Sequence, residues 1–402
     1  MKILFLTDNF PPEVNAPATR TVEHCTEWVK QGHEVTVITC FPNYPQGKVY
    51  DGYKNKLKQT ETINGIKVIR IWSYITANKG TLKRILDQLS FAFMAFWFAL
   101  FKRTDVIVAT SPQFFITITA YFLSIFKWKP WVFELRDLWP DTIIAVGAIK
   151  NKLILRFLEF LEIFLYKRAT LIIPVTDAFK DNLVGRGIKA EKIKVVTNGS
   201  NLLLFQARPK DTVLIKELKL ENKIVVGYLG THGMTHGLDF IIQALSKVKN
   251  PDIHFLFVGT GSEKEKIVAL SKELNLKNVT FHPPVTKNEV ARYISIMDIS
   301  LVPLKRRDTF KTVIPSKIFE LACMRIPILL GVEGQAKKII DKYEAGIGFE
   351  PENEKDFLEK LNLITTDKNL YQTLQEGCDN LSVDYDRVKL ANKMSNYLEA
   401  LK

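Results

Sequence analysis

Two doubly wound α/β domains are what this sequence predicts, on three observations. The chain has 402 residues, more than a single hydrophobic core sustains, so it divides into two domains. Short β-branched runs alternate with longer helical patterns along its whole length, as in a parallel sheet covered on both faces. That rhythm begins again after a junction around residues 203–222.

In the first half the expected strands are Lys2–Thr7, Glu34–Thr39, Ile66–Trp72, Asp105–Ala109, Trp131–Leu135, Thr170–Val175 and Lys192–Thr197. The second series starts at Lys223–Leu229 and runs through "DIHFLFVG", "NVTFHPP", "DISLVP" and "IPILLG". A last helix begins at about Arg387, after a "DYD" whose Asp384 or Asp386 suits an N-cap better than a metal ligand. The division this gives is residues 1–205, completed by the helix at about 387–402, and residues 206–386. Open sheets of this kind bind ligands beyond the carboxyl ends of their strands, so two such domains facing one another would place a site in the cleft between them.

Composition narrows the class. Apolar residues make up 47% and aromatic residues 11% of the chain, which leaves little room for disorder. Cys25, Cys40, Cys323 and Cys378 lack metal-ligand or disulfide-framework spacing and read as small buried side chains of a reducing compartment. The apolar start, "MKILFLTDNFPPE", stops at Asp8 and a proline pair, as a first buried strand does, and points to a cytoplasmic location. The net charge of +13 is uneven: residues 1–200 carry 27 Lys+Arg against 17 Asp+Glu, residues 201–402 carry 29 against 26. No nucleic-acid-binding motif accompanies that excess. Because the basic half also holds the most apolar segments, an anionic membrane surface or a lipid diphosphate suits it better.

The most informative motif is "IPSKIFELACMRIPILL", from Ile314 to Leu330. Pro315 suits the first turn of a helix, Ser316 adds a hydroxyl there as a candidate donor-binding group, and Lys317 adds charge where free amides and the helix dipole attract an anion, with phosphate the obvious candidate. Glu320, one turn on, can accept from sugar or ribose hydroxyls. An ordinary capped helix explains these residues equally well. Gly259 and Gly261 in "FVGTGSEKEKI" are a dinucleotide-loop echo that lacks its third glycine.

This segment resembles the nucleotide-sugar signature of glycosyltransferase family 4, of the GT-B fold, in the branch reading "PSKxxEyxAxGxPv". Others follow in matching order: "FPPEVNAPATR", "ELRDLWPD", "VVTNGSNLLLF" and "VGYLGTHGMTHGLDFI". The set spans nearly the whole chain and is most similar to enzymes of bacterial capsule and O-antigen synthesis, N-acetylfucosaminyl transferases among them. The resemblance implies a retaining, metal-independent hexosyltransferase that moves a sugar, N-acetylated in that branch, from a UDP-sugar to a polyprenyl-diphosphate-linked saccharide. It would work at the inner face of the cytoplasmic membrane with no cofactor and no metal.

Residue by residue, the family's diphosphate-binding Lys position falls at His236, in the loop opening at Gly230, and its Arg position holds no arginine. That makes Lys317 the expected diphosphate partner, with Lys305, Arg306 and Arg307 in reserve. Of the family's two glutamates eight residues apart, Glu320 matches the second and Thr312 stands at the first. Asn15 and Arg20, in the loop after the first strand, fall near the donor diphosphate and the acceptor; Gly259 and the Val285 backbone fall near the nucleobase. Arg136 and Asp137 replace the His-Asp of many members, with Asp137 as base or orienter on the acceptor side. A buried ion pair is the alternative for these two. A UDP-sugar 2-epimerase of the same fold, or an inactive sugar-nucleotide or membrane-binding module, are the competing functions.

Three segments bear on the membrane: "LKRILDQLSFAFMAFWFALFKR", "FFITITAYFLSIFKWKPW" and "NKLILRFLEFLEIFLYKR". The apolar stretch Phe91–Phe101 is too short to span a bilayer, and Lys83, Arg84, Lys102 and Arg103 flank it. A helix lying in the interface and a buried helix both fit it, while burial is the expectation for the second segment.

Overall fold

The computed structural model describes residues 1–44, 46–76, 81–139 and 151–402. They form two compact units, Met1–Asn198 with Arg387–Lys402, and Gly199–Asp386.

The first unit contains β1 (Lys2–Leu6), β2 (Glu34–Cys40), β3 (Lys58–Ile63), β4 (Ile66–Ile71), β5 (Val106–Thr110), β6 (Trp131–Leu135) and β7 (Leu171–Pro174) in the order β3-β4-β2-β1-β5-β6-β7. Every pairing is parallel except β3 with β4, a hairpin turned by Asn64 and Gly65, both at positive φ. The chain reverses direction across the sheet at β1, between β2 and β5, so loops after β1 and β5 part there and leave polar groups room. The helices are α1 (Ala16–Lys30), α2 (Thr81–Leu100), α3 (Phe115–Lys127), α4 (Lys152–Arg168) and α5 (Asp177–Gly185). Alternate residues of β1 feed two cores: Leu4 and Leu6 join Phe91, Ala95 and Leu123 on one face, and Ile3 and Phe5 join Trp28, Leu390 and Met394 on the other. Both faces being covered is why these strands read as unbroken apolar runs.

One expected strand is absent. Lys192–Thr197 holds a 3₁₀ turn at Ala190–Lys192 and a single bridge, Ile193 to Ile172. Its amides do reach β7, but the carbonyls of Val196 and Thr197 accept from the Arg20 guanidinium and are lost to a ladder.

The second unit carries β8 (Ile224–Leu229), β9 (Ile253–Val258), β10 (Val279–His282), β11 (Ile299–Pro303), β12 (Ile328–Gly331) and β13 (Gly346–Gly348), parallel throughout, in the order β10-β9-β8-β11-β12-β13. Its helices are α6 (Thr212–Glu217), α7 (Leu238–Leu245), α8 (Lys264–Glu273), α9 (Lys287–Ser295), α10 (Lys317–Cys323), α11 (Gln335–Tyr343), α12 (Glu354–Thr366) and α13 (Lys368–Asp384). The switch point is β8, flanked by β9 and β11. The division falls after Asn198, earlier than residue 205, because Leu202, Leu204 and Phe205 pack into the second unit's core. Asp384 ends α13 and accepts from the Tyr343 hydroxyl at 2.6 Å, and Asp386 immediately precedes α14 (Arg387–Glu399). The Trp28 indole of the first unit donates to Ala391 of α14 at 2.9 Å.

Candidate active site

In the second unit the loop from Gly230 to Gly237 leaves the carboxyl end of β8 and meets the loop that follows β9. The two are laced by backbone bonds: Gly230 N to Val258 O, His232 N to Thr260 O and Glu263 N to His232 O, each 2.9 Å. Such close approach demands glycine. Gly259 has φ +143°, and a Cβ there would lie 1.9 Å from the Gly230 carbonyl oxygen.

Lys317 reaches this meeting point. Its Nζ lies 4.2 Å from the centre of the Tyr228 ring, a cation over an aromatic face. A Cβ on Gly230, itself at φ +141°, would come within 2.9 Å of that ammonium. Burial draws the Lys317 ammonium down to about 8, with Glu320 opposing the shift. Among the described residues no hydrogen bond from Lys317 to the protein is formed. His236 approaches the same Tyr228 ring at 6.1 Å, and burial followed by the Lys317 charge lowers its imidazole to about 4. Without an anion nearby it is neutral, a weaker phosphate partner than a lysine.

The helix beneath this site departs from the expectation. α10 has seven residues and starts at Lys317; Pro315 lies outside it, and Ser316 stands at its cap with no side-chain capping bond. The positive charge of the site is therefore the Lys317 ammonium and not the end of a long helix. Thr312 closes a 3₁₀ turn, Asp308–Thr312, and its hydroxyl donates to Thr309 O at 3.2 Å. The half-buried Val285 packs against the second unit's core. Of the reserve cations, Arg306 is paired with Glu350 at 2.7 Å, and the stem of Lys305 would lie 3.5 Å from a Cβ on Gly237.

The first unit corrects two assignments. Asn15 is the N-cap of α1, its side chain accepting from Ala18 N at 2.9 Å. Arg20 is buried, and four of its five N–H groups are engaged: by Glu134 at 2.8 Å, Thr197 O at 2.6 Å, Asn198 Oδ1 at 3.3 Å and Val196 O at 3.0 Å. Both side chains are committed chiefly to the first unit's own structure. Arg136 and Asp137 both direct their backbone N–H groups to the Ser111 hydroxyl, at 2.7 and 3.3 Å. The Arg136 guanidinium donates to Pro17 O at 3.4 Å, and burial lowers it to about 10. Burial raises the Asp137 carboxyl, against the pull of Arg136. The two make no ion pair within 4.0 Å among the described residues. Pro140 and Asp141, which end the same motif, lie outside the described residues.

Sequence reasoning missed several groups. His232, one turn of loop from Gly230, is fully buried. Tyr228 is the ring on which Lys317 rests. In the first unit Asp8, Glu13 and Asp87 are raised, chiefly by burial, to about 6, 7 and 7. The two histidines in "THGMTHG" were a usable signal for His232; the three carboxyls, scattered over the sequence, gave none.

The first unit also presents aromatic rings to solvent. Trp97 on α2 and Phe101 just after it, Phe126 and Trp128 at the end of α3, and Phe157 and Phe160 on α4 are 50–90% exposed. The second apolar segment therefore buries one face, through Ile116, Ala120 and Leu123, and shows the other. No described helix is long and apolar enough to cross a membrane. The four cysteines are buried and form no disulfide, and among the described residues no group of three His, Cys, Asp or Glu could hold a metal.

Comparison with known proteins accords with this architecture. Residues 15–199 match the family model of the glycosyl transferase 4-like domain, and residues 210–378 match that of glycosyl transferases group 1. An Escherichia coli (strain K12) protein named for colanic acid biosynthesis glycosyl transfer, WcaI, is 27% identical over 329 residues, 79% of this chain and 80% of its own. A Campylobacter jejuni relative, the N-acetylgalactosamine-N,N'-diacetylbacillosaminyl-diphospho-undecaprenol 4-alpha-N-acetylgalactosaminyltransferase, is 24% identical over 263 residues, 63% of this chain and 67% of its own. Among solved structures, Anabaena HepE in complex with UDP superposes with a TM-score of 0.74 at 17% identity over 100% of both chains. WaaG, a glycosyltransferase of lipopolysaccharide biosynthesis, gives 0.69 at 14% identity over 98% of this chain and 99% of its own. With a glycosyl transferase 4-like domain followed by a group 1 domain, this chain belongs to the glycosyltransferases of family 4 type and of GT-B fold.

Proposed function

We propose that this glycosyltransferase takes a sugar, N-acetylated, from UDP and delivers it with retained configuration to a polyprenyl-diphosphate-linked saccharide. The observation that carries the reading is the Lys317 ammonium, set on the Tyr228 ring against Gly230 and bonded to no protein acceptor among the described residues. As the bond from the anomeric carbon to UDP breaks, negative charge collects on the diphosphate. A fixed cation in a partly dry site stabilises that charge more than it stabilises the intact donor. Glu320, three residues along α10, takes the ribose hydroxyls. The new bond joins the acceptor oxygen to the anomeric carbon, and Asp137, its carboxyl raised by burial, orients that hydroxyl or receives its proton.

UDP as the carrier is supported by the HepE structures, and a lipid diphosphate acceptor by the name of the Campylobacter relative. The exposed rings on α2, α3 and α4, together with Lys102 and Arg103, support a peripheral seat on the anionic inner face of the cytoplasmic membrane. A capsule or O-antigen repeat is the product, with N-acetylfucosamine among the sugars to try first. With Lys317 supplying the charge, the reaction proceeds without a metal ion.

The test is release of UDP from a panel of UDP-sugars with membrane-extracted lipid-linked acceptor. UDP release that requires acceptor and survives EDTA is the expected outcome. Sugar epimerisation without transfer, or turnover lost to EDTA and restored by manganese, would refute the reading.

A further inference from the structure

The loop after β8 holds a side chain that the donor reading leaves without a task. His232 has 0% exposure, and neither Nδ1 nor Nε2 has a hydrogen-bond partner. Its backbone accounts for its place, since both its N–H and its carbonyl lace the two loops together. Its imidazole is not needed for that. The ring lies 5.6 Å from Tyr228 and 6.4 Å from Phe257, where a phenylalanine would pack with no polar atom to satisfy. Leaving an imidazole unpartnered in such surroundings is unfavourable, and buried polar groups in native proteins are nearly always paired.

Its direction suggests the partner. A Cβ on Gly259 would sit 3.4 Å from Nε2 and 1.9 Å from the Gly230 carbonyl, so Nε2 looks toward the glycine pair beside which Lys317 ends. Tyr228 connects the two groups, with the ammonium over its face and the imidazole tilted against it. We propose that His232 is a second recognition group for the donor's diphosphate: a phosphate oxygen, directly or through one water, accepts its imidazole N–H at the Gly230–Gly259 junction. This rests on the donor site proposed above. Burial, with the charges of Lys264 and Lys317, keeps the imidazole neutral, and a neutral imidazole still offers one N–H. The unfavourable state of the protein alone is relieved when the diphosphate binds, which adds to donor affinity.

UDP binding measured by calorimetry for the wild type, His232→Phe, His232→Gln and Lys317→Ala tests this. His232→Phe should unfold at or above the wild-type temperature yet bind UDP roughly ten- to a hundredfold more weakly. His232→Gln, which keeps an N–H, should recover most of that loss. If Lys317→Ala weakens UDP binding while His232→Phe leaves it unchanged, the role of His232 falls and the donor site stands. Equal losses in His232→Phe and His232→Gln would also overturn it, because shape and not the N–H would then matter. A wild type that does not bind UDP would overturn the donor site and this inference together. Should His232→Phe fail to fold, the ring-nitrogen resonances of His232 decide: a shift on adding UDP supports the proposal, and no shift overturns it.

Discussion

Each unit buries a basic side chain near the switch point of its sheet, and the two are used in opposite ways. Arg20 donates to Glu134 and to three carbonyl or amide oxygens, which takes four of its five N–H groups. Burial alone would raise Glu134, yet the charges of Arg20 and Arg136 hold its carboxyl below the usual range. Lys317 has an aromatic face beneath it and a glutamate one turn away, but no hydrogen-bond acceptor on its ammonium among the described residues. A cation with nearly all its donors satisfied inside the protein is architecture; one with donors to spare is what the proposed donor site requires. Arg20 replaces a strand's worth of ladder bonds by tying the Val196–Asn198 segment to β6, whereas Lys317 leaves the ordinary value of a lysine in order to stay where it is.

Substituting each cation separates the two roles. Arg20→Ala strands the Glu134 carboxylate in the interior and should destabilise the protein by roughly 3–5 kcal/mol, seen as a large fall in melting temperature. Donor affinity, measured where the variant is still folded, should stay within a few-fold of wild type. Lys317→Ala should do the reverse. Its melting temperature at neutral pH should rise, because the cost of holding that ammonium is removed, while turnover falls roughly a hundred- to a thousandfold, the loss seen when one preorganised charge-stabilising group is removed. If Arg20→Ala abolished UDP binding without loss of stability, the contrast between the two cations would be wrong.

The same contrast shows what was legible beforehand. Apolar runs of five or six residues flanked by turn residues betrayed the central strands, because burial on both faces leaves no polar position in them. β3 escaped notice, since its sequence KQTETI alternates with an exposed edge pattern. The Asn64-Gly65 pair that turns it into β4 was the clue to it. Lys317 could be found because motif and charge coincide within four residues. Arg20 was misassigned because its partners, Glu134 and Val196 to Asn198, stand more than a hundred positions away. The burial of His232 depends in the same way on a loop that follows a different strand.

Surface chemistry offers a further way to tell the units apart. The first unit exposes rings on α2, α3 and α4, Lys102 and Arg103 directly follow Phe101 in the chain, and the first half of the chain carries most of the net positive charge. Each basic residue near an anionic surface is worth about 1 kcal/mol. Changing Lys102 and Arg103 to Glu should therefore reduce co-sedimentation with phosphatidylglycerol vesicles by roughly tenfold or more at low salt. Added salt should weaken the wild type in the same direction. UDP binding, proposed above for the second unit, should be unaffected. Equal sedimentation of variant and wild type would mean that the rings meet something other than an anionic membrane.

The smallest difference expected is in pH dependence. Glu13 of the first unit is 3% exposed; Asn43 and Tyr44 donate their backbone N–H groups to its Oε1 at 2.7 and 2.9 Å. Burial outweighs those bonds and raises its carboxyl from 4.5 to about 7. For an acid raised on folding, the contribution to stability is full below the unfolded value and is lost as pH rises through the folded one. The window for Glu13 is therefore about 4.5 to 7. Lys317, lowered from 10.5 to about 8, acts in a different window, its contribution present above 10.5 and lost as pH falls through 8. Melting temperature followed from acidic to alkaline pH should show both slopes. Glu13→Gln keeps an acceptor for the two backbone donors and removes the titration, so it should flatten the acidic slope, on the order of 3 kcal/mol across that window, and leave the alkaline one untouched. Lys317→Ala should do the opposite. A Glu13→Gln profile that parallels the wild type from pH 4.5 to 7 would transfer the acidic slope to Asp8 and Asp87, the other carboxyls raised in the same unit.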